Sequence, residues 1–316
     1  VTRPRVVVTQ RIHDEVEALL SERAAVVVNR NPEPWDSETL STHAREAHAL
    51  MVFMPDSLDA AFIAECPNLK VVAAALKGFD NFDVEACRRR NIWFTIVPDL
   101  LTDPTAELAL ALLLGLARNV PPGDKHVRSG NYQGWRPTLY GQSLSGATVG
   151  LIGYGSVGHA FERLISGFGC RVMWSDVKPG GESMEAIATQ SDFLLPLLPL
   201  TAQTTHLINR EFLSRMKPGA FLINVGRGSL VDEEAVCDAL EEGKLAGYAA
   251  DVFEMEDWAR SDRPLTVSKR LLNLPDRTLF TPHLGSATRT ARLEIERRAA
   301  QNIIDALTGT KPRDAI

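Results

Sequence analysis

The sequence predicts an α/β protein built from two doubly wound parallel-sheet domains. Three observations lead there. Short β-type apolar runs alternate with amphipathic segments through both halves, one such run opens into a glycine-rich turn, and the length of 316 residues suits about two domains. The expected division is 1–99 joined by 285–316 for one domain and 100–284 for the other, with a ligand site in the cleft between them that hinge closure shields from water.

In the first half Arg5–Val8, Ala25–Val28, Ala49–Phe53 and Val71–Ala75 read as strands, with helices over Asp14–Leu20 and Ser41–Ala47. β/α alternation of this kind implies a parallel sheet covered by helices. Thr102–Asp103–Pro104 signals a helix start, with Thr or Asp as N-cap and Pro in the first turn. Residues 106–117 are apolar nearly all round, so this helix should be buried on several sides. Val120–Pro121–Pro122–Gly123 should end it, and 124–147, with Tyr132, Trp135 and Tyr140, reads as an extended arm. Further strands are expected at Phe193–Leu198, Ala220–Val225 and Gly247–Val252, with a helix over Glu233–Glu241. Ser286 is the expected N-cap of a long amphipathic helix reaching about Leu307.

Composition narrows the partners. Apolar residues make up 45% and charged residues 23%, ordinary values for a globular chain, and the formal charge of −6 comes without any Lys/Arg-rich block. That argues against nucleic acid or an anionic membrane as the main partner. The most apolar stretch, Leu108 to Leu116, is far shorter than the ~20 residues of a membrane span. Val6–Val8 is too short for a signal core, and Val1 in place of Met points to a trimmed or incomplete start. A cytoplasmic location is expected. Cys66, Cys87, Cys170 and Cys237 show no metal-ligand spacing, so no metal is expected and all four read as small buried apolar residues.

The most informative stretch runs from Thr148 to Gly158. Its apolar run feeds into Gly153-x-Gly155-x-x-Gly158, followed by a helix-like segment. Gly153 permits the tight turn, Gly155 lets backbone approach a pyrophosphate, and Gly158 lets helix pack closely on strand. The helix start then offers N–H groups and a favourable dipole to phosphates. Asp176 ends the next apolar run, eighteen residues after Gly158. A carboxylate there accepts hydrogen bonds from a ribose 2′-OH and repels a 2′-phosphate, so the expected cofactor is NAD on a Rossmann-like domain.

Three strand ends carry groups suited to chemistry. Asn224–Val225–Gly226–Arg227–Gly228 sets an arginine beyond one strand, Asp251–Val252–Phe253–Glu254–Met255–Glu256 sets carboxylates beyond the next, and Thr281–Pro282–His283 supplies an imidazole. In open parallel sheets ligands bind outside the carboxyl ends of the strands, so these groups should converge beside the cofactor. An arginine can grip an anion bidentately, and a carboxylate can hold a histidine in one tautomer. The remaining histidines, His13, His43, His48, His126, His159 and His206, read as structural.

On these motifs, together with Met216–Lys217–Pro218–Gly219, the chain resembles the D-isomer-specific 2-hydroxyacid dehydrogenase family over essentially its whole length. The resemblance implies that Arg227 binds the substrate anion, that Glu256 and His283 form an acid–base dyad, and that Asp251 serves the nicotinamide amide region. With the glycine loop, the expected cofactor residues are Gly153, Gly155, Ser156, Val157, Gly158, Asp176, Pro199, Thr204, Val225, Gly226, Asp251, His283 and Gly285. Asp257 departs from the pattern, standing where many members carry proline. A homodimer is implied too, through the 106–117 helix and the aromatic arm.

Within that family, Ala75–Leu76–Lys77–Gly78–Phe79–Asp80–Asn81–Phe82–Asp83, Tyr132–Gln133–Gly134–Trp135, Val97–Pro98–Asp99–Leu100–Leu101–Thr102, Tyr248 through Arg260 and Arg292 through Arg297 look like the phosphonate (phosphite) dehydrogenases. This narrower similarity implies NAD-dependent oxidation of phosphite, with substrate contacts from Lys77, Gly78, Arg227 and His283, and with Met54, Trp135, Tyr140, Ser286 and Arg292 lining or supporting the site. Gly226 departs from it, since that pattern carries a cysteine there. The alternatives are an ordinary D-2-hydroxyacid dehydrogenase or glyoxylate/hydroxypyruvate reductase, and an NAD-sensing corepressor-like protein.

Overall fold

The computed structural model describes residues 3–258 and 260–316, so the start at Val1 and Ala259 of the Tyr248–Arg260 stretch lie outside the described residues. The chain divides into two units, one of Val1–Leu101 with Ala287–Ile316 and one of Thr102–Ser286. Each is a Rossmann-like α/β layer structure around a parallel sheet.

The first sheet contains β1 (Arg5–Val8), β2 (Ala25–Val28), β3 (Ala49–Val52), β4 (Val71–Ala74) and β5 (Trp93–Thr95), in the order β2-β1-β3-β4-β5. Val6 to Val8, Ala49 to Val52 and Val71 to Ala74 are fully buried, as expected for strands covered on both faces. Helices Asp14–Ser21 and Arg289–Leu307 close one face. Helices Ser37–Ala44, Ala60–Ala64 and Val84–Arg89 close the other. Two expectations shift here. The second helix begins earlier than Ser41 because the Asp36 carboxylate accepts the Thr39 N–H at 2.8 Å and starts it at Ser37. The C-terminal helix is capped by Thr288, whose hydroxyl accepts from Ala291 N, and not by Ser286.

The second sheet contains β6 (Thr148–Ile152), β7 (Arg171–Ser175), β8 (Phe193–Pro196), β9 (Ala220–Asn224), β10 (Leu245–Ala250) and β11 (Thr278–Phe280), in the order β11-β10-β9-β8-β6-β7. The chain leaves β6 toward β7 on one side and returns to β8 on the other. That reversal opens a crevice at the carboxyl ends of β6 and β8, the place where such sheets bind ligands. The helix Thr102–Ala117 buries Ala106, Ala109, Leu112, Leu113 and Leu116 against the helix Ser156–Ile165 and the sheet. Each such leucine contributes about 1.5–3 kcal/mol by leaving water. The prolines at 121 and 122 do not simply terminate this helix. Asn119 turns the chain in the left-handed region at φ 54°, and Val120–Arg128 forms a second helix with proline in its first turn. The extended arm is therefore shorter than the sequence suggests.

Asp56, in the first unit, is buried and accepts from Phe53 N at 2.7 Å and from the Thr9 hydroxyl. Burial pushes its carboxyl up to about 6, the two hydrogen bonds opposing. The folded state thus holds a proton that the unfolded chain has released, and stability falls as pH rises from the ordinary carboxylate range through about 6. Asp56→Asn, which can still accept from Phe53 N, should raise stability at pH 8 by about 2 kcal/mol, with the gain vanishing toward pH 4. Denaturant unfolding at several pH values checks this, and a difference independent of pH would rule it out.

Candidate active site

The glycine loop has the geometry of a phosphate cradle. Gly153 lies at φ 96°, where a side chain would be strained, and a Cβ there would press on the Leu197 carbonyl at 2.8 Å. Gly158 approaches the Gly153 carbonyl so closely that a Cβ would stand 3.1 Å from it. Gly155, by contrast, faces open space and caps the helix Ser156–Ile165 without any side-chain acceptor. The first N–H groups of that helix, at Ser156 and Val157, therefore start beside open space at Gly155, where a pyrophosphate would be held. Nothing in the loop argues against a dinucleotide, so the residues fit the group.

Asp176 follows β7 and accepts Tyr154 N at 2.7 Å and Lys178 N at 3.1 Å. The Tyr154 N–H first, then that of Lys178, holds its carboxyl below the usual range, so it stays ionised and able to accept ribose hydroxyls. Tyr154 itself stacks on Trp174 with ring centroids 4.5 Å apart, bracing the turn from below. Farther along, the Pro199 carbonyl accepts from the Thr204 hydroxyl at 2.8 Å, closing the loop after β8. At Gly226 a Cβ would meet the Pro196 carbonyl at 2.9 Å, so this backbone has closed in where the related pattern carries a larger residue.

Three strand ends carry the groups suited to chemistry. After β9, the Asn224 side chain donates to the Arg227 carbonyl at 2.8 Å and accepts from Gly226 N at 3.1 Å. This folds the turn that carries Arg227 on an extended backbone. After β10, a short 3-10 turn over Glu254–Glu256 brings the Glu256 carboxylate back onto Phe253 N at 3.1 Å. After β11, His283 sits in the left-handed region at φ 55°. Its Nδ1 lies 2.6 Å from Glu256 Oε2. An ionised carboxylate can only accept, so Nδ1 carries the hydrogen and Nε2 is left as the nitrogen that can take or give a proton.

Asp251 holds this loop in place. Its carboxylate accepts from the Thr281 hydroxyl at 2.6 Å, Leu284 N at 2.6 Å and Gly285 N at 2.8 Å, while its carbonyl accepts from His283 N at 2.8 Å. Burial pushes its carboxyl upward, partly offset by those donors. Arg227, Glu256, His283, Asp251 and Gly285 thus lie in one unit, where hydrogen bonds join His283 to Glu256 and to Asp251, and Asp251 to Gly285. Ser286 ends that unit in a turn, and Trp135 and Tyr140 stand at the surface, each 77% exposed.

The other expected substrate residues belong to the first unit. Met54 and Lys77 follow the carboxyl ends of β3 and β4, and Gly78 comes next. The Met54 carbonyl accepts from the Asn81 amide at 2.8 Å. The Arg292 guanidinium lies 5.6 Å from the Phe53 ring centre and 3.6 Å from Glu296, which in turn takes both the backbone N–H and the imidazole of His13. The i,i+4 pair is real, yet mostly buried, and burial lowers the Arg292 pKa despite the Glu296 charge.

Sequence reading missed a second layer. Asp257 accepts from Ser229 N at 2.6 Å, and Arg260 reaches the Ser229 hydroxyl at 2.7 Å and Glu254 at 3.0 Å. His206 pairs with the same Glu254 oxygen at 2.8 Å. The Asp257 departure from the family pattern was the single visible signal of it.

Fold and site together define a dehydrogenase that uses a nicotinamide dinucleotide. The NAD-binding domain profile of the D-isomer specific 2-hydroxyacid dehydrogenases matches residues 110–285. A protein of Aeropyrum pernix named glyoxylate reductase is 37% identical over 99% of this chain and 96% of its own. One of Pyrococcus furiosus with the same name is 36% identical over 98% and 94%. Among solved structures, a Thermus thermophilus protein superposes with a TM-score of 0.89 at 35% identity, covering 99% of both chains. An NADPH-dependent glyoxylate/hydroxypyruvate reductase of Sinorhizobium meliloti, bound to NADP and malonate, gives 0.85 at 29% identity over 100% of this chain and 97% of that one. The chain belongs to the D-isomer-specific 2-hydroxyacid dehydrogenase family.

Since relatives of both cofactor types exist, Asp176 is the residue to test. The unmutated protein should favour NAD in kcat/KM, and Asp176→Ala should narrow the gap by about tenfold, mainly through KM for NADP. Equal use of both cofactors by the unmutated protein would sink the assignment.

Proposed function

We propose that Arg227, Glu256 and His283 act together on a small oxyanion substrate, with NAD as the preferred cofactor. The observation that carries this reading is the 2.6 Å contact of His283 Nδ1 with Glu256, one strand over from the Arg227 turn. When bound, the nicotinamide supplies or accepts the hydride. Arg227 grips the anion, Glu256 keeps the imidazole oriented, and His283 Nε2 moves the proton. His283→Ala should lower kcat by about 100-fold or more, and Glu256→Gln by about tenfold. Near-normal turnover of His283→Ala would rule out that role.

The names of the relatives favour a 2-oxo acid such as glyoxylate. There Arg227 would hold the carboxylate while His283 protonates the carbonyl oxygen during reduction. This is the better-supported substrate reading.

A second reading, oxidation of phosphite to phosphate, is favoured by residues of this chain: the Lys77–Gly78 turn, the stretch Tyr248 through Arg260, and the buried Arg292. Phosphite near neutral pH is largely doubly charged, and desolvating it is costly unless each oxygen finds a donor. On this reading Lys77 and Arg292 are the cations of the first unit that would answer the second charge. His283 would take a proton from the water that adds to phosphorus as the P–H bond breaks. On this reading phosphite with NAD yields NADH and phosphate, and Lys77→Ala loses about tenfold in kcat/KM, chiefly through KM for phosphite. Parallel assays with phosphite and NAD and with glyoxylate and NADH decide. Ready glyoxylate reduction without NADH formation from phosphite leaves the first reading alone.

A further inference from the structure

We propose that Asp257 and Arg260 are positioning residues that lock the loop carrying Glu256 onto the loop carrying Arg227. The proposal rests on the reading of Glu256 and His283 as the acid–base pair. The two loops follow neighbouring strands, β10 and β9, whose ladder among the described residues ends with Asp251 N donating to the Asn224 carbonyl at 2.9 Å. They run backbone against backbone: a Cβ on Gly228 would lie 1.9 Å from the Phe253 carbonyl carbon. A slip along this seam would move Arg227 relative to Glu256.

Next to Arg227 the seam is closed by charged groups from one side and by Ser229 from the other. Asp257, 1% exposed, accepts from Ser229 N at 2.6 Å. Arg260 donates to Ser229 Oγ at 2.7 Å and to Glu254 Oε2 at 3.0 Å. Asp262 holds the other edge of its guanidinium at 3.1 and 3.2 Å. The Ser229 carbonyl, meanwhile, accepts from His206 N at 2.7 Å. Ser229 is thus gripped at its amide, hydroxyl and carbonyl, two residues after Arg227. Farther along the seam Glu233 and Glu254 exchange backbone-to-carboxylate bonds of 2.8 and 3.1 Å. These bonds would persist without Arg260, so its loss should loosen the seam without unravelling it.

Arg260 bonds to Ser229 on the Arg227 loop and to Glu254 on the Glu256 loop, so its effect on the reaction would pass through the placement of Glu256 against Arg227. Misplacement by about 1 Å can cost on the order of 100-fold in rate. A double-mutant cycle in the intact protein tests the route, with turnover measured on glyoxylate with NADH and on phosphite with NAD, and NADH binding measured by fluorescence. Arg260→Ala should lower kcat by about tenfold with NADH affinity within about twofold of the parent. In a Glu256→Gln background the same change should cost only about threefold, because the carboxylate whose placement matters is gone while the placement of Arg227 is still disturbed. Arg260→Lys should recover part of the loss. Should Arg260→Ala fail to fold, Ser229→Ala removes only the hydroxyl acceptor and should show a loss of about threefold with the same dependence on Glu256. Equal losses in both backgrounds, or no loss in either variant, overturn the proposal. A Glu256→Gln protein with parental activity instead overturns the acid–base reading beneath it.

Discussion

The buried Asp251 carboxylate is the constraint on which the histidine side of the site depends. Removing an ionised carboxylate from water is unfavourable unless donors replace the lost hydration. Here a hydroxyl and two backbone N–H groups do so, all from 281–285. The requirement works in both directions. The loop satisfies the carboxylate, and the carboxylate fixes the loop, which lets a non-glycine residue such as His283 stay at φ 55°. Only with the backbone held there does the imidazole meet Glu256 from a different strand.

The same logic of satisfied backbone groups runs through the dinucleotide half in reverse. At Asp251 the donors are used up, whereas at Gly155 the helix start keeps its N–H groups without a side-chain acceptor. Asp176 shows an intermediate arrangement: its two backbone donors fix the direction of the carboxylate but leave lone pairs for hydroxyls. Rigid supports and open donors therefore alternate along the carboxyl edge of one sheet.

What the sequence made legible follows from how local each requirement is. Gly153 and Gly158 are set by steric demands within a few residues, so the fingerprint could be read directly, as could the buried strands from their unbroken apolar runs. Arg227, Glu256 and His283 are separated by 29 and 27 residues, and no periodicity connects them. Their position just beyond strand ends was the readable signal, and the family resemblance added the choice of Glu256 among neighbouring carboxylates. Pro121 misleads because proline both ends one helix and suits the first turn of the next. Ser286 and Thr288 are equally good caps on paper, and the choice falls to the hydroxyl that reaches Ala291 N. Helices of four to seven residues, such as Lys269–Leu272 and Met184–Gln190, are too short to show a period. The Arg260 contacts to Ser229 and His206 span 31 and 54 residues, beyond any local rule.

Charge placement bears on the choice of substrate. Arg292 is largely buried and shares its charge with Glu296, which is anchored in turn by His13. A cation with so close a counter-ion attracts an anion less strongly than a bare one, although its planar N–H edges still donate. Lys77 has no such carboxylate among the ion pairs of the described residues. Within the first unit Lys77 is therefore the less compensated cation, while the Arg292 guanidinium lies 5.6 Å from the Phe53 ring centre. The Lys77 turn is accordingly the feature of the first unit on which the two substrate readings differ most.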